Sequence, residues 1–289
     1  MLFIPYKHLY ISGTSYVSAD EPDYKEVITD ANSRRRMGRL LKMAVWCGLK
    51  SLEGVPSERV AGIITSTGAG FMKDTISFGS SIFDREETLL NPSPFMQSTF
   101  NTASGYIALI RKIHAYNTTY VQQADGFAAS VIDAAMLLDD AGDGNVALVG
   151  AFDEVTPEVD VIRQRLGLYR VGDGFLPLGE GAAAFLLSAA SSSRSLNGTK
   201  DGNAALQFCG LANLSDLPKC AENPIAELFG INACVNVISC ADHVESLGAF
   251  RSLLPVLLCK LISEQQIPDG YTAIVDDVNE DGVIILLHK

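Results

Sequence analysis

The chain has 289 residues, 47% of them hydrophobic, and a net charge of −12 from 22 Lys and Arg against 34 Asp and Glu. That length can bury a large core, as one domain or two fused halves. The acidic balance argues against nucleic acid or an anionic membrane as partner, because phosphate binding needs the opposite sign. No apolar run reaches bilayer-spanning length, so no membrane insertion is expected. The opening Met1–His8 lacks the basic start and long apolar core of a signal peptide, so a cytoplasmic location is expected.

In chain order the pattern alternates β and α. Leu9–Ser12 reads as a first strand closed by Gly13. Ser33 reads as the N-cap of a helix running to about Leu52, with Met37, Leu40, Leu41, Ala44, Val45 and Leu49 as its apolar stripe. Arg34, Arg35 and Arg36, with Arg39 and Lys42, read as a solvated first turn of that helix. Val60–Ser66 is a short buried strand ending in the Gly68–Gly70 turn, which lacks the Lys-Ser/Thr of a phosphate-binding loop. Met72–Phe83 reads as helix. Asn91–Pro94 opens an irregular stretch before a helix over Ala103–His114.

Next comes the most informative segment. Asn117-Thr-Thr-Tyr-Val121 is a β-branched strand that breaks at Gln122–Gly126 and enters an apolar helix, Phe127–Leu138. A strand turning sharply into a helix presents one side chain at the helix N-terminus, where backbone N–H groups favour a developing anion. Several acyl-transfer enzymes place their nucleophile at such an elbow. Here the elbow holds Gln123, and an amide forms no thioester.

Val146–Ala151 and Ala182–Leu187 read as fully buried strands, and 191–202 as a polar, small-residue connector. Beyond it lie strands near Ala205–Cys209 and Ala233–Ser239, a helix from Val244 to Ser263, and two closing strands, Thr272–Val275 and Val283–Leu287. This partly repeats the first part of the chain, in shorter form. A doubled α/β arrangement with two sheets and sandwiched helices fits. The six cysteines, at 47, 209, 220, 234, 240 and 259, lack metal spacing and read as buried small hydrophobes. None stands at an elbow like that of Gln123, and none is assigned a catalytic role. The sequence implies no cofactor and no metal.

Four segments resemble β-ketoacyl synthases, condensing enzymes of the thiolase fold. Gly172-Asp-Gly-Phe-Leu-Pro-Leu-Gly-Glu-Gly-Ala-Ala183 is similar to their glycine-rich signature. Val121–Ala129 resembles their nucleophile elbow, with Gln123 in the cysteine position. Ser239–His243, followed by Leu247–Ala249, resembles the segment of the second active-site histidine, matched by His243, with Ile238 where the family has a lysine. Ser93–Asn101 resembles the loop before the dimer-interface helix, including its asparagine. The resemblance spans about Gly62 to the C-terminus, in a chain shorter than a full ketosynthase.

It implies an α/β, thiolase-like fold whose two pseudo-repeated halves, 1–190 and 203–289, form a layered α/β/α/β/α sandwich. It also implies a dimer made along the strand before the elbow, with Asn101, Asn117, Thr118, Thr119, Tyr120 and Val121 as interface candidates. A β-branched edge strand rarely stays unpaired.

The departures bear on function. The nucleophile is gone, and no histidine lies near Leu211–Ser215, where the family's first one would be. Val278–Gly282, with Asp277, replaces the family's glycine-phenylalanine loop. Claisen condensation needs a thioester nucleophile and donors for the enolate oxyanion. Gln-Ala-Asp-Gly at the elbow resembles the Gln-Ala-Gly-Gly of chain-length factors, the non-condensing partners of heterodimeric ketosynthases in aromatic polyketide, aryl-polyene and flexirubin synthesis.

The resemblance therefore implies a subunit that pairs with a catalytic ketosynthase, meets acyl carrier protein through it, and limits chain length. The aryl-polyene or flexirubin kind is favoured. Phe95, Met96 and Phe100 are candidates either for the far end of a shared acyl tunnel or for plain core. His243 is an oxyanion donor or a helix-start residue, and Glu180 a structural turn residue. His8, His114 and His288 read as surface or interface residues. The alternative is a malonyl-carrier-protein decarboxylase or related acyltransferase using Gln123 and His243.

Overall fold

The computed structural model describes residues 1–121, 125–189, 206–279 and 282–289. Gln123, in the junction 122–124, and the connector at 191–202 lie outside the described residues. The first half runs β1 (Leu2–Phe3), β2 (Leu9–Val17), α1 (Ala31–Arg36), α2 (Arg39–Ser51), β3 (Val60–Ser66), α3 (Met72–Asp84), α4 (Pro92–Ser98) and α5 (Thr102–Arg111). It continues with β4 (Tyr116–Tyr120), α6 (Asp125–Ala141), β5 (Val146–Asp153), α7 (Pro157–Leu166), the short hairpin β6 (Arg170–Val171) and β7 (Gly174–Phe175), and β8 (Gly181–Ala189). The second half holds β9 (Leu206–Asn213), α8 (Pro224–Leu228), β10 (Val235–Ser239), α9 (Val244–Leu247), α10 (Leu253–Ser263), β11 (Tyr271–Val275) and β12 (Val283–His288).

The strand order β4-β3-β5-β8-β2 continues through β9 into β12-β11-β10. In the first half β3 lies parallel to β4 and β5, while β5, β8 and β2 pair antiparallel in turn. The second half repeats the scheme. β9, β12 and β11 pair antiparallel as β2, β8 and β5 do, and β10 lies parallel to β11 as β3 does to β5. No strand among the described residues corresponds to β4. β10 thus occupies the sheet position of β3, yet leads into a buried helix, α10, as β4 leads into α6.

The layers follow from alternation along the strands. Ala147, Val149 and Ala151 of β5 and Ala183, Phe185 and Leu187 of β8 pack on α6 and α10, while Leu148, Ala182, Ala184 and Leu186 pack on α2 and α5. From the other side Ile285 and Leu287 of β12 meet the same middle helices, and Ile284 and Leu286 meet Ile225 and Phe229 at α8. This is an α/β/α/β/α sandwich with α6 and α10 in the middle. Strands covered on both faces read as unbroken apolar runs, which is why β5 and β8 are legible in sequence. Burying one such Leu or Phe stabilises the fold by about 1.5–3 kcal/mol. The two sheets expected from sequence are joined along one seam, where Leu9–Ile11 of β2 pair antiparallel with Leu206–Phe208 of β9.

Several elements differ from the sequence-based expectation for local reasons. β2 runs through Gly13 to Val17, with a register shift between Ile11 and Gly13. The helix expected from Ser33 to Leu52 breaks at Met37–Gly38, and Asp30 caps its first part by accepting from the Ser33 N–H at 2.7 Å. Gln97 stabilises the break, accepting from the Gly38 N–H at 2.8 Å and donating to the Arg36 carbonyl. Asn91–Pro94 is not irregular. Asn91 caps α4 and Pro92 stands where a helix start tolerates proline. Helix α7, absent from the sequence reading, begins the same way, with Thr156 accepting from the Val159 N–H at 3.2 Å before Pro157. The expected helix from Val244 to Ser263 stops at Gly248, whose φ of +78° belongs to glycine, and restarts at Leu253.

Candidate functional site

Strands β3, β5 and β11 end at a common polar cluster beside the β4–α6 junction. The Thr67 N–H, one residue beyond β3, donates to the Tyr120 carbonyl at 3.0 Å and so anchors the end of β4. Asp153, the last residue of β5, is 5% exposed. Its Oδ1 accepts from the Thr67 hydroxyl at 3.0 Å and from the Gly68 and Ala69 N–H groups at 2.9 and 3.2 Å. Its Oδ2 accepts from the Ser252 hydroxyl at 2.6 Å. Burial pushes this carboxyl up, and the Ser252, Ala69, Gly68 and Thr67 donors oppose that.

Across the cluster the loop after β11 is equally self-satisfied. Asp276, 2% exposed and pushed up by burial, accepts from the Asn279 side chain at 2.8 Å and from the Asn279 N–H at 3.1 Å. Asn279 Oδ1 accepts from the Tyr169 hydroxyl at 2.9 Å and from Arg251 at 3.4 Å, and its amide donates to the Phe250 carbonyl at 3.3 Å. The Arg251 guanidinium lies 5.9 Å from the Tyr169 ring centroid. Burial, more than any charge nearby, pushes Tyr169 up to about 12. The Arg251 stem lies against Gly68, where an added Cβ would come within 2.6 Å of it. The polar groups at these strand ends are therefore bonded to one another.

His243 is half-buried, at the start of α9, with its N–H donating to the Cys240 carbonyl at 3.0 Å. Cys240 follows β10 directly and begins the helical turn Ala241–His243. It is no nucleophile: it is 0% exposed, and burial, then Asp276 and Asp277, hold its thiol far above the ordinary range. Cys220 and Cys234, read as buried from sequence, are exposed. Glu180 pairs with Arg39 and accepts from the Val155 N–H at 3.3 Å, a turn-fixing role. Among the described residues no group of His, Cys, Asp or Glu could hold a metal ion, and no helix is long and apolar enough to cross a membrane.

The interface candidates gather at one end of the sheet, where among the described residues β4 has a neighbour on one side only. Tyr116 and Tyr120 point toward α6, donating to one oxygen of Asp133 at 2.9 and 3.1 Å. Burial and then the Asp133 hydrogen bond push Tyr120 up to about 12. On the other face Thr119 shares a 2.7 Å hydrogen bond with Thr65, and the Asn117 amide donates to the Ser104 carbonyl at 3.1 Å. Thr118 is half-buried, Val121 is 40% exposed, and Asn101 is an exposed residue just before α5.

Phe95, Met96 and Phe100 are 54%, 60% and 42% exposed, so in this single chain they are surface rather than core. Phe95 packs on Phe78 at 5.1 Å, and the Phe100 ring covers Gly70. Phe83 and Leu89, at the end of α3 and just beyond it, are also exposed. A cavity of about 10 Å³ between α2, α5 and the sheet, lined by Ala44, Gly48, Thr65, Ala103 and Ile107, holds no more than a water.

This five-layered doubled sandwich, with a strand–helix junction at its polar strand ends, is the thiolase-like fold of the ketosynthases. A family model for the beta-ketoacyl synthase N-terminal domain matches residues 14–199, and the chain belongs to that family. Among solved structures it is similar to the ishigamide ketosynthase/chain length factor, at 14% identity and a TM-score of 0.71 over 97% of this chain and 98% of that one. It is also similar to a type II polyketide ketosynthase solved with its acyl-carrier protein, at 15% identity and a TM-score of 0.70 over 97% and 99%. A third is the ketosynthase ApeO in complex with its chain length factor ApeC from Xenorhabdus doucetiae, at 14% identity and a TM-score of 0.56 over 98% and 99%. No curated protein matches the sequence.

Proposed function

We propose that this chain is a non-catalytic, chain-length-factor-type subunit of a ketosynthase heterodimer. Its two halves, 1–190 and 203–289, act as one unit. The partner is an active β-ketoacyl synthase that carries the nucleophilic cysteine and both histidines and brings in acyl carrier protein. This subunit limits the length of the acyl or polyene chain, in aryl-polyene, flexirubin or other polyketide synthesis in the cytoplasm. The observation that carries the reading is the residue between β4 and α6: the junction that would hold the thioester holds Gln123. The strand ends around Asp153, Asn279 and Arg251 support it, since condensation needs donors left for the enolate oxyanion and the donors here are spent on the chain's own acceptors.

The test is co-purification with a cysteine-bearing ketosynthase from the same cell, followed by malonyl condensation assays of each part and of the pair. The expected result is a stable 1:1 complex whose condensation disappears when the partner's cysteine is replaced. Carbon dioxide release by the isolated chain would overturn the reading and favour a malonyl-carrier-protein decarboxylase or acyltransferase working through Gln123 and His243.

The exposed Phe95, Met96 and Phe100 fit the seam of a shared tunnel better than an internal one, since they are already at the surface. Bulk at such a stop sets length, because packed side chains do not readily make room for another two carbons. Phe95→Ala or Phe100→Ala in the complex is expected to shift the product distribution at least one two-carbon unit longer. Mass spectrometry of the products reads this directly, and an unchanged distribution with both variants would remove these residues from the stop.

A further inference from the structure

The free edge of the sheet carries a charge arrangement that bears on which strand can pair with it. Tyr116 and Tyr120 stand on the same face of β4 and spend both hydroxyl protons on Asp133 Oδ2. Among the described residues no lysine, arginine or histidine forms an ion pair with Asp133. The carboxylate is half-buried, Tyr116 is 45% exposed, and among the described residues the outer edge of β4 has no partner strand.

Suppose two copies of this chain paired antiparallel along β4. Full overlap of a five-residue strand sets Tyr116 against Tyr120 of the second copy and puts the two-fold axis at Thr118. Strands so paired lie about 4.8 Å apart. Each Asp133 is tied to residues on both sides of that axis, so the two carboxylates lie level with one another on the same face of the shared sheet. The tyrosine hydroxyls have no second proton to offer the incoming carboxylate. The whole chain, at −12, adds repulsion of the same sign.

We propose that Asp133, held in place by Tyr116 and Tyr120, selects the partner strand. It opposes pairing of two copies of this chain and favours a ketosynthase-fold subunit that brings a lysine or arginine to the α6 face of the shared sheet. The inference rests on the reading of β4 as the pairing edge.

The test is sedimentation equilibrium of the purified chain, wild type and Asp133→Asn, at low and high salt. Wild-type self-association is expected to strengthen with salt, as screening relieves like charges. Asp133→Asn is expected to self-associate about tenfold more tightly at low salt and to lose much of that salt dependence. Equal association constants for the two proteins, or a wild-type dimer that salt weakens, would overturn the inference. Because the net charge of −12 by itself gives a dimer that salt strengthens, the comparison of variant with wild type decides, and Asp133→Ser takes the place of Asp133→Asn if that variant fails to fold. In the co-expressed heterodimer Asp133→Asn is expected to weaken the complex about tenfold. Failure to pair with any ketosynthase would sink the functional reading, while the self-association series would still decide the role of Asp133.

Discussion

Gly179→Ala is expected to cost about 3 kcal/mol or more of stability, an extreme value for adding one methyl group. A Cβ at Gly179 would lie 1.9 Å from the Leu247 carbonyl oxygen and 2.8 Å from the Gly248 Cα. Both obstacles are backbone, so no side chain can swing aside. Nor can the segments part. The Ala249 N–H donates to the Pro177 carbonyl at 2.7 Å, and the Gly179 N–H donates to the Ala249 carbonyl at 3.2 Å. Gly248 closes the lock from the other side, for its own Cβ would lie 2.2 Å from the Gly179 nitrogen.

The contrasting position is Gly174 in the same signature, where an added Cβ meets nothing nearer than 3.9 Å. Urea unfolding of the two variants separates them, since a loss of 3 kcal/mol moves the midpoint by roughly 1–3 M at usual slopes. Equal midpoints for Gly179→Ala and Gly174→Ala would refute the interlock. The glycine-rich signature therefore joins the two halves: it holds the loop before β8 against the segment between α9 and α10.

That interlock also marks the limit of what sequence reading can reach. Val60–Ser66, Val146–Asp153 and Gly181–Ala189 are visible because a strand covered on both faces is apolar along most of its length. The break at Gly248 is not visible, because it depends on Gly179, far away in the chain. The same holds for Asp153. A carboxylate ending an apolar run reads as the point where a strand meets water, and only the fold shows its four donors coming from two distant segments.

Within the candidate site, Gln123 and the strand–helix junction are legible because each is local. Phe95, Met96 and Phe100 are ambiguous because an apolar residue awaiting a partner subunit has the same sequence signature as one in a core. Cys220 and Cys234 were misjudged for a related reason: an exposed thiol and a buried one carry the same local signature.

Asp153→Ala is expected to destabilise the chain by about 3–5 kcal/mol and to weaken partner binding. The substitution leaves the Thr67 and Ser252 hydroxyls and the N–H groups of Gly68 and Ala69 without their acceptor. Each donor stranded in the interior costs about 1–3 kcal/mol, and the four do not add fully because the Gly68–Gly70 turn can shift toward water.

Asp153→Asn is the informative companion. It keeps one carbonyl oxygen for the N–H groups, and its amide can donate to Ser252, whose hydroxyl can turn to accept. Burial already disfavours the charged form of Asp153, so losing the charge is cheaper than losing the acceptors. A cost of about 1–2 kcal/mol is expected for this variant. Thermal unfolding followed by circular dichroism orders the two variants, and equal losses would mean that charge rather than hydrogen-bond geometry holds the cluster.

The consequence for assembly runs through one bond. Thr67, fixed by Asp153, gives its N–H to the Tyr120 carbonyl at the end of β4. Once Thr67 is loose, the last residue of the edge strand loses that anchor, and Tyr120 is one of the two residues that position Asp133. Asp153→Ala is therefore expected to weaken the proposed complex with a catalytic ketosynthase more than its stability loss alone accounts for, and Asp153→Asn to leave it nearly intact. Measuring the heterodimer dissociation constant well below both melting temperatures separates this from unfolding. Similar constants for the two variants would show that the edge strand keeps its shape without the Asp153 cluster.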